Sequence, residues 1–351
     1  MKILATLKPE KYRNISCDLY GTLAEIDWDA KTALRSLKIP TASFQDDTAF
    51  MTPILSGLCL IGRRVLVAAW NFIVEIDYDS FQVVNAVSWP PMADLHGMTT
   101  DGNDLWVASA AIDAVLCLDA NDLHLKWRWG PDEPILYQDR LSTNSNVQSL
   151  IANLPLGRIP IPRLSRTWRT LFGQSNDRRF IEREYRYVHK SKTSYHYHHL
   201  NGVCFHEGYL YITTKGWNKD EDKSAVIRLD PETRQAEFFV PPGGFRSMHD
   251  GVFVDGVFYV TEAKADSVAW REPDGSIISR QVEPLGYFVR GLCYTGSSFL
   301  VGFSTWRGSN LPAQIVEYDL EFKHQLGIMD ISMFYPEDKR TAVFSLALSP
   351  D

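Results

Sequence analysis

Apolar and polar residues alternate along this chain in short runs that stop at Asp, Asn and Gly. Five runs end on an Asp followed by turn residues: Leu23-Ala24-Glu25-Ile26-Asp27, Val74-Glu75-Ile76-Asp77, Leu116-Cys117-Leu118-Asp119, Ile227-Arg228-Leu229-Asp230 and Val316-Glu317-Tyr318-Asp319. A divergent copy is Trp270-Arg271-Glu272-Pro273-Asp274-Gly275. The six Asp residues stand 50, 42, 111, 44 and 45 positions apart. Period-two alternation bounded by turn residues predicts strands and hairpins. An Asp that opens a hairpin caps its own turn through its side chain, so these carboxylates read as structural rather than as ligands.

A second pattern runs through the same units. A polar residue, usually followed by Gly, opens an apolar run: Ser56-Gly57-Leu58, His96-Gly97-Met98, Asn201-Gly202-Val203, Asp250-Gly251-Val252 and Arg290-Gly291-Leu292. A turn such as Asp101-Gly102-Asn103 or Asp255-Gly256 follows, and then strands such as Leu105-Trp106-Val107-Ala108, Leu210-Tyr211-Ile212-Thr213 and Phe258-Tyr259-Val260-Thr261. β-branched and aromatic residues between turn residues are strand material. About four strands in about 45 residues is the period of a propeller blade. The expected fold is therefore all-β, a single six-bladed β-propeller spanning residues 1–351. Three N-terminal strands, near Ile15–Cys17, Thr22–Ile26 and Ala33–Leu37, and one C-terminal strand, Val343–Leu348, complete the sixth blade. Such closure removes open sheet edges.

The long spacing marks an insertion, residues 131–198, between blades 3 and 4. It predicts helices capped by Asn144-Ser145-Asn146 and by Ser165, and a third over 178–188. From Pro131 to His199 there are 11 Lys and Arg against 6 Asp and Glu, or +5, which leaves −12 on the rest of a chain whose net charge is −7. A basic segment joining the last strand of one blade to the first of the next is expected to overhang the channel mouth. It would dock on acidic propeller edges or act as a lid attracting an anionic small molecule. The overall charge argues against nucleic acid as a partner. No apolar run reaches the length of a membrane helix, and the N-terminus lacks a signal-peptide core. Five cysteines make no disulfide framework, so the expected location is cytoplasmic. Cys59, Cys204 and Cys293 share one slot, two places after the motif glycine, as small buried strand residues do.

Blade symmetry brings Ser56, His96, Asn201, Asp250, Arg290 and, in the least regular copy, Ser345 to one ring. A ring holding His, Asn and Asp is able to bind a metal or carry out acid/base chemistry. Asn201-Gly202-Val203 and Asp250-Gly251-Val252 resemble the calcium-binding strands of the regucalcin and gluconolactonase propellers. Diisopropyl-fluorophosphatase, paraoxonase and strictosidine-synthase-like proteins share that architecture. The resemblance implies a divalent metal at the channel mouth, held by Glu, two Asn and Asp, and hydrolysis of lactones or phosphoesters. Here Ser56 stands at the place of the Glu, His96 replaces an Asn, and Arg290 adds a positive charge. His96, Asn201 and Asp250 form a set better suited to a transition metal than to calcium, or to no metal at all.

The catalytic candidates are His96, His249, Asp250, Arg290, His199 and Glu262. A propeller lyase such as virginiamycin B lyase also uses His and Glu from inner strands, and His249 with Glu262 resembles such a pair. Ser56, Arg290, His198, Trp217, Trp306 and Arg307 are the candidates for binding substrate. Three functions stay open: a hydrolase of an anionic lactone or ester, metal-assisted or not; a metal-free lyase, isomerase or cyclase; and a non-catalytic propeller that binds a ligand or a protein.

Overall fold

The structure is a computed structural model that describes residues 1–9, 20–40, 55–131, 198–217, 220, 222–305, 311–335 and 341–350. Six four-stranded antiparallel sheets form the blades of a propeller. Blade 1 combines β1 (Lys2–Pro9), β2 (Tyr20–Asp27) and β3 (Thr32–Pro40) with the C-terminal β24 (Thr341–Leu348). Blade 2 holds β4 (Leu55–Ile61) to β7 (Gln82–Val87), and blade 3 holds β8 (Leu95–Thr100) to β11 (Leu125–Trp129). Blade 4 runs from β12 (Leu200–His206) to β15 (Ala236–Phe245), and blade 5 from β16 (Met248–Val254) to β19 (Ile277–Gln281). Blade 6 runs from β20 (Tyr287–Tyr294) to β23 (Gln325–Asp330).

The closure by both chain ends is as expected, with one correction. The first strand of blade 1 is Lys2–Pro9, whereas Ile15–Cys17, where the pattern placed it, lies outside the described residues. Ile3, Leu4, Ala5 and Leu7 are wholly buried there. The charges of Lys2 and Lys8 break the apolar run in the sequence but fall near the strand ends. The insertion lies outside the described residues except at Pro131 and His198. It joins the outermost strand of blade 3 to the innermost strand of blade 4.

The hydrophobic core is divided among the blade junctions. Six buried clusters each draw on two neighbouring sheets, as where Cys59, Leu66 and Ile73 of blade 2 meet Met98, Val107 and Leu116 of blade 3. Outer strands such as β7 and β19 are mostly exposed, whereas inner strands such as β4 and β20 are mostly buried. The repeated Asp residues do cap the turns. Asp77 Oδ1 accepts the Ser80 amide at 2.8 Å, and Asp230 Oδ1 accepts those of Glu232 and Thr233 at 2.8 and 3.1 Å. The Ser80 hydroxyl, which donates to Asp77 Oδ1 at 2.7 Å, and the Ser80 amide hold the Asp77 carboxyl below the ordinary range, as Thr233 does for Asp230. The slot cysteines are desolvated, which raises their thiols to about 12 for Cys59 and Cys293 and about 11 for Cys204.

Candidate functional site

Each blade's innermost strand pairing slips at the motif. The shifts fall between Leu55 and Gly57, Leu95 and Met98, Leu200 and Gly202, Met248 and Gly251, and Arg290 and Leu292, and opposite Thr6–Leu7 in blade 1. A bulge re-aims the extra residue; it is Ser56 in blade 2, Asn201 in blade 4, Gly291 in blade 6 and Phe344 in blade 1. The glycines then let neighbouring inner strands touch. A Cβ on Gly57 would lie 2.3 Å from the His96 carbonyl oxygen, and one on Gly202 would lie 2.7 Å from that of His249.

Four ring positions are ties between blades. Ser345 Oγ donates to the Ser56 carbonyl at 2.8 Å, and Ser56 Oγ donates to the Leu95 carbonyl. Asn201 Nδ2 donates to the Met248 carbonyl at 2.6 Å, and Asp250 Oδ2 accepts the Gly291 amide at 2.7 Å. Each reaches the next blade round the ring. Ser56 is thus engaged as a tie between blades, and Asn201 is anchored through Nδ2 to the backbone of blade 5, while its Oδ1 accepts no hydrogen bond among the described residues.

His96 and Arg290 sit differently. The His96 ring is 5.1 Å from that of His199 and 5.6 Å from that of His249, so histidines of three successive blades converge. His96 Nε2 lies 3.4 Å from Asp94 Oδ1. His249 Nδ1 is 3.9 Å from Asp250 Oδ2, an ion-pair distance rather than a formed hydrogen bond. Desolvation raises the Asp250 carboxyl to about 6, against the opposing effects of the Gly291 amide and the Arg290 charge. The Arg290 guanidinium carbon is 4.0 Å from the Phe288 ring centre and 4.4 Å from that of Phe344. Lys8 Nζ is 4.9 Å from the Phe344 ring, so two cations share one aromatic wall.

Two carboxylates at this end were not among the sequence candidates. Asp94 precedes β8 at φ 53°, and His199 precedes β12 at φ 55°. Asp and His adopt left-handed backbone more readily than most non-glycine residues. The signal was present in the sequence: aligning Asp94-Leu95-His96-Gly97 with His199-Leu200-Asn201-Gly202 puts Asp94 and His199 in one slot. Asp113, between the strands Asp104–Ser109 and Ala114–Asp119 of blade 3, accepts the His199 amide at 2.7 Å and the His198 amide at 3.0 Å. A Cβ on Gly130 would meet the Asp113 carbonyl oxygen at 2.9 Å, so the insertion leaves and returns beside Asp113.

Three further candidates have structural surroundings. Glu262 accepts the Arg246 amide at 2.9 Å and the hydroxyls of Ser267 and Ser279 at 2.8 and 2.7 Å, which commits both oxygens to blade 5. His198 is buried with its ring 3.8 Å from that of Trp217, and Trp217 belongs to the core between blades 3 and 4. Neither is an exposed rim residue, because both complete apolar packing beneath the mouth. Trp306 and Arg307 lie outside the described residues. No helix among the described residues is long and apolar enough to cross a membrane.

No family model and no curated protein matches the chain. Among solved structures it is similar to a protein of unknown function from Bacteroides caccae, with a TM-score of 0.59 and 10% identity over 100% of this chain and 99% of that one. It is also similar to a chain of a nidogen/laminin complex, with a TM-score of 0.56 and 7% identity over 99% of this chain and 98% of that one. A protein assigned as a 6-phosphogluconolactonase, from Bacteroides uniformis, reaches a TM-score of 0.49 at 12% identity, over 93% of this chain and 83% of that one. At these identities the likeness is one of fold alone, and the chemistry has to be read from the residues at the mouth.

Proposed function

We propose that the channel mouth between blades 3 and 6 is the active site of a hydrolase for a small anionic ester or lactone. The observation that carries this reading is the convergence of His96, His199 and His249 beside Asp250, with Arg290 close enough to lower the Asp250 carboxyl. A ring that only closes a propeller has no need of buried imidazoles, and four slots already perform the closing.

In this reading Arg290, backed by Phe288 and Phe344, holds the carboxylate or phosphate of the substrate. Lys8 adds positive charge on the same wall, and the segment that begins and ends beside Asp113 carries a net charge of +5. Asp250 is fixed by the Gly291 amide and orients His249. His249 takes a proton from water as the water oxygen bonds to the acyl carbon, and returns it to the leaving oxygen as that bond breaks. Apo catalytic pairs are often loose and tighten on binding, which accommodates the 3.9 Å separation.

The test is hydrolysis of matched ester and lactone pairs with and without a carboxylate or phosphate group. The anionic members should turn over faster. Arg290→Gln should raise KM for them and leave the neutral members unchanged, and His249→Asn should lower kcat for all. No hydrolysis by the wild type across the panel, or full activity in both variants, would overturn the proposal.

A further inference from the structure

We infer that Asp94, His96 and His199 form a binding site for one divalent transition-metal ion, Zn(II) or a similar cation. All three are buried, and one ligand atom from each lies within 4.8 Å of the others. Ions of this class sit about 2.0–2.2 Å from imidazole nitrogen and carboxylate oxygen, so tetrahedral ligands stand roughly 3.3–3.5 Å apart. The Asp94–His96 pair is already at 3.4 Å. The remaining separations need to close by little more than an ångström.

The donor set selects the ion. Two imidazoles and one carboxylate suit zinc and its neighbours, whereas calcium and magnesium take oxygen ligands. Three protein ligands also leave a fourth position open, as in catalytic rather than structural zinc sites. The ligands are held in place from below. Asp94 and His96 flank the wholly buried Leu95, and Asp113 clamps the backbone of His198 and His199 with both its oxygens. Asn201, two residues beyond His199, has a buried amide oxygen that accepts no hydrogen bond among the described residues. A water on the ion is the kind of donor that such an oxygen lacks. This set replaces the one predicted from the ring alone, in which Asn201 and Asp250 accompanied His96. Asp250 accepts the Gly291 amide and is not among the convergent ligand atoms, and Asn201 is anchored through Nδ2 to Met248.

The inference deepens the hydrolase reading, since an ion here would polarise a carbonyl or lower the pKa of bound water. Its test, however, needs no substrate. The full chain is stripped with a chelator and titrated with Co(II), followed by visible absorption, and with Zn(II), followed by calorimetry. The expected result is one ion per chain and a d–d spectrum of low coordination number. Affinity should fall more than about a hundredfold in His199→Ala and in Asp94→Asn, beyond the effect typical of supporting residues alone. His249→Asn should bind Co(II) as the wild type does while failing in hydrolysis, so the two proposals fail separately. Wild type that takes up no Co(II), or variants of Asp94 and His199 that retain stoichiometry and spectrum, would overturn the site. The wild-type titration decides the first point even if a variant does not fold.

Discussion

Asp94 Oδ1 and His96 Nε2 stand 3.4 Å apart, although the residues lie on one strand entry with only Leu95 between them. Asp94 stands just before β8, and its left-handed backbone, φ 53°, marks where the chain enters that strand. His199 enters the next blade with the same backbone conformation. A local backbone feature, repeated in adjacent blades, thus sets the side chains of the candidate site against each other.

The clamp at Asp113 should be measurable as stability. Asp113→Ala leaves the buried amides of His198 and His199 without their carboxylate. Hydrogen bonds to a charged group contribute about 1.5–3 kcal/mol each. A loss of about 3 kcal/mol or more is expected in urea unfolding, with Asp113→Asn intermediate.

Asp250 should impose a pH dependence opposite in sign to that of the turn carboxylates. Its folded pKa of about 6 lies above the unfolded value of about 3.9. The folded chain therefore holds the proton more tightly, and this contribution is fully present below about pH 4 and is lost as pH rises through about 6. The groups facing it are His249 on its own strand and Arg290 from blade 6. Asp250→Asn keeps an acceptor for the Gly291 amide and removes the titration. From pH 4 to pH 7 the variant should gain about 2–3 kcal/mol relative to wild type, and parallel stability curves would count against the burial argument.

Gly57 has no room for a methyl group. Its Cβ would fall 2.3 Å from the His96 carbonyl oxygen, a backbone atom of the next blade. Gly57→Ala should destabilise by about 1–3 kcal/mol through overpacking. It should also shift His96, which histidine-selective NMR would detect.

Blade closure predicts cooperativity lost from one end. Deleting the chain from Thr341 removes β24, the partner of β1 along Ile3–Pro9, and exposes that edge. The truncated chain should lose its cooperative thermal transition and associate.

Much of the fold was legible because the Asp turns and motif glycines repeat with the blade. Val74–Asp77, Leu105–Ala108 and Phe258–Thr261 all fall within strands. The site was legible in part. His96, His199 and His249 were recognised, and the structure brings them together. Ser56 and Asn201 also tie to the neighbouring backbone, a role that a polar residue at a blade's inner edge serves as readily as ligand binding. Glu262 is likewise engaged structurally, by the Arg246 amide and the hydroxyls of Ser267 and Ser279. Asp94 and Asp113 stand outside the position before each motif glycine, so the repeat by itself does not mark them.

The central claim, that this mouth binds and hydrolyses an anionic acyl compound, is tested most directly by a crystal structure of the full chain with a carboxylate-bearing phosphonate. Such a compound resembles the tetrahedral stage of ester hydrolysis, and transition-state analogues bind more tightly than substrates. The account predicts phosphonate oxygens within hydrogen-bond distance of His249 and the carboxylate on Arg290. A phosphonate that inhibits hydrolysis while bound anywhere else, with the mouth free of it, would contradict the account.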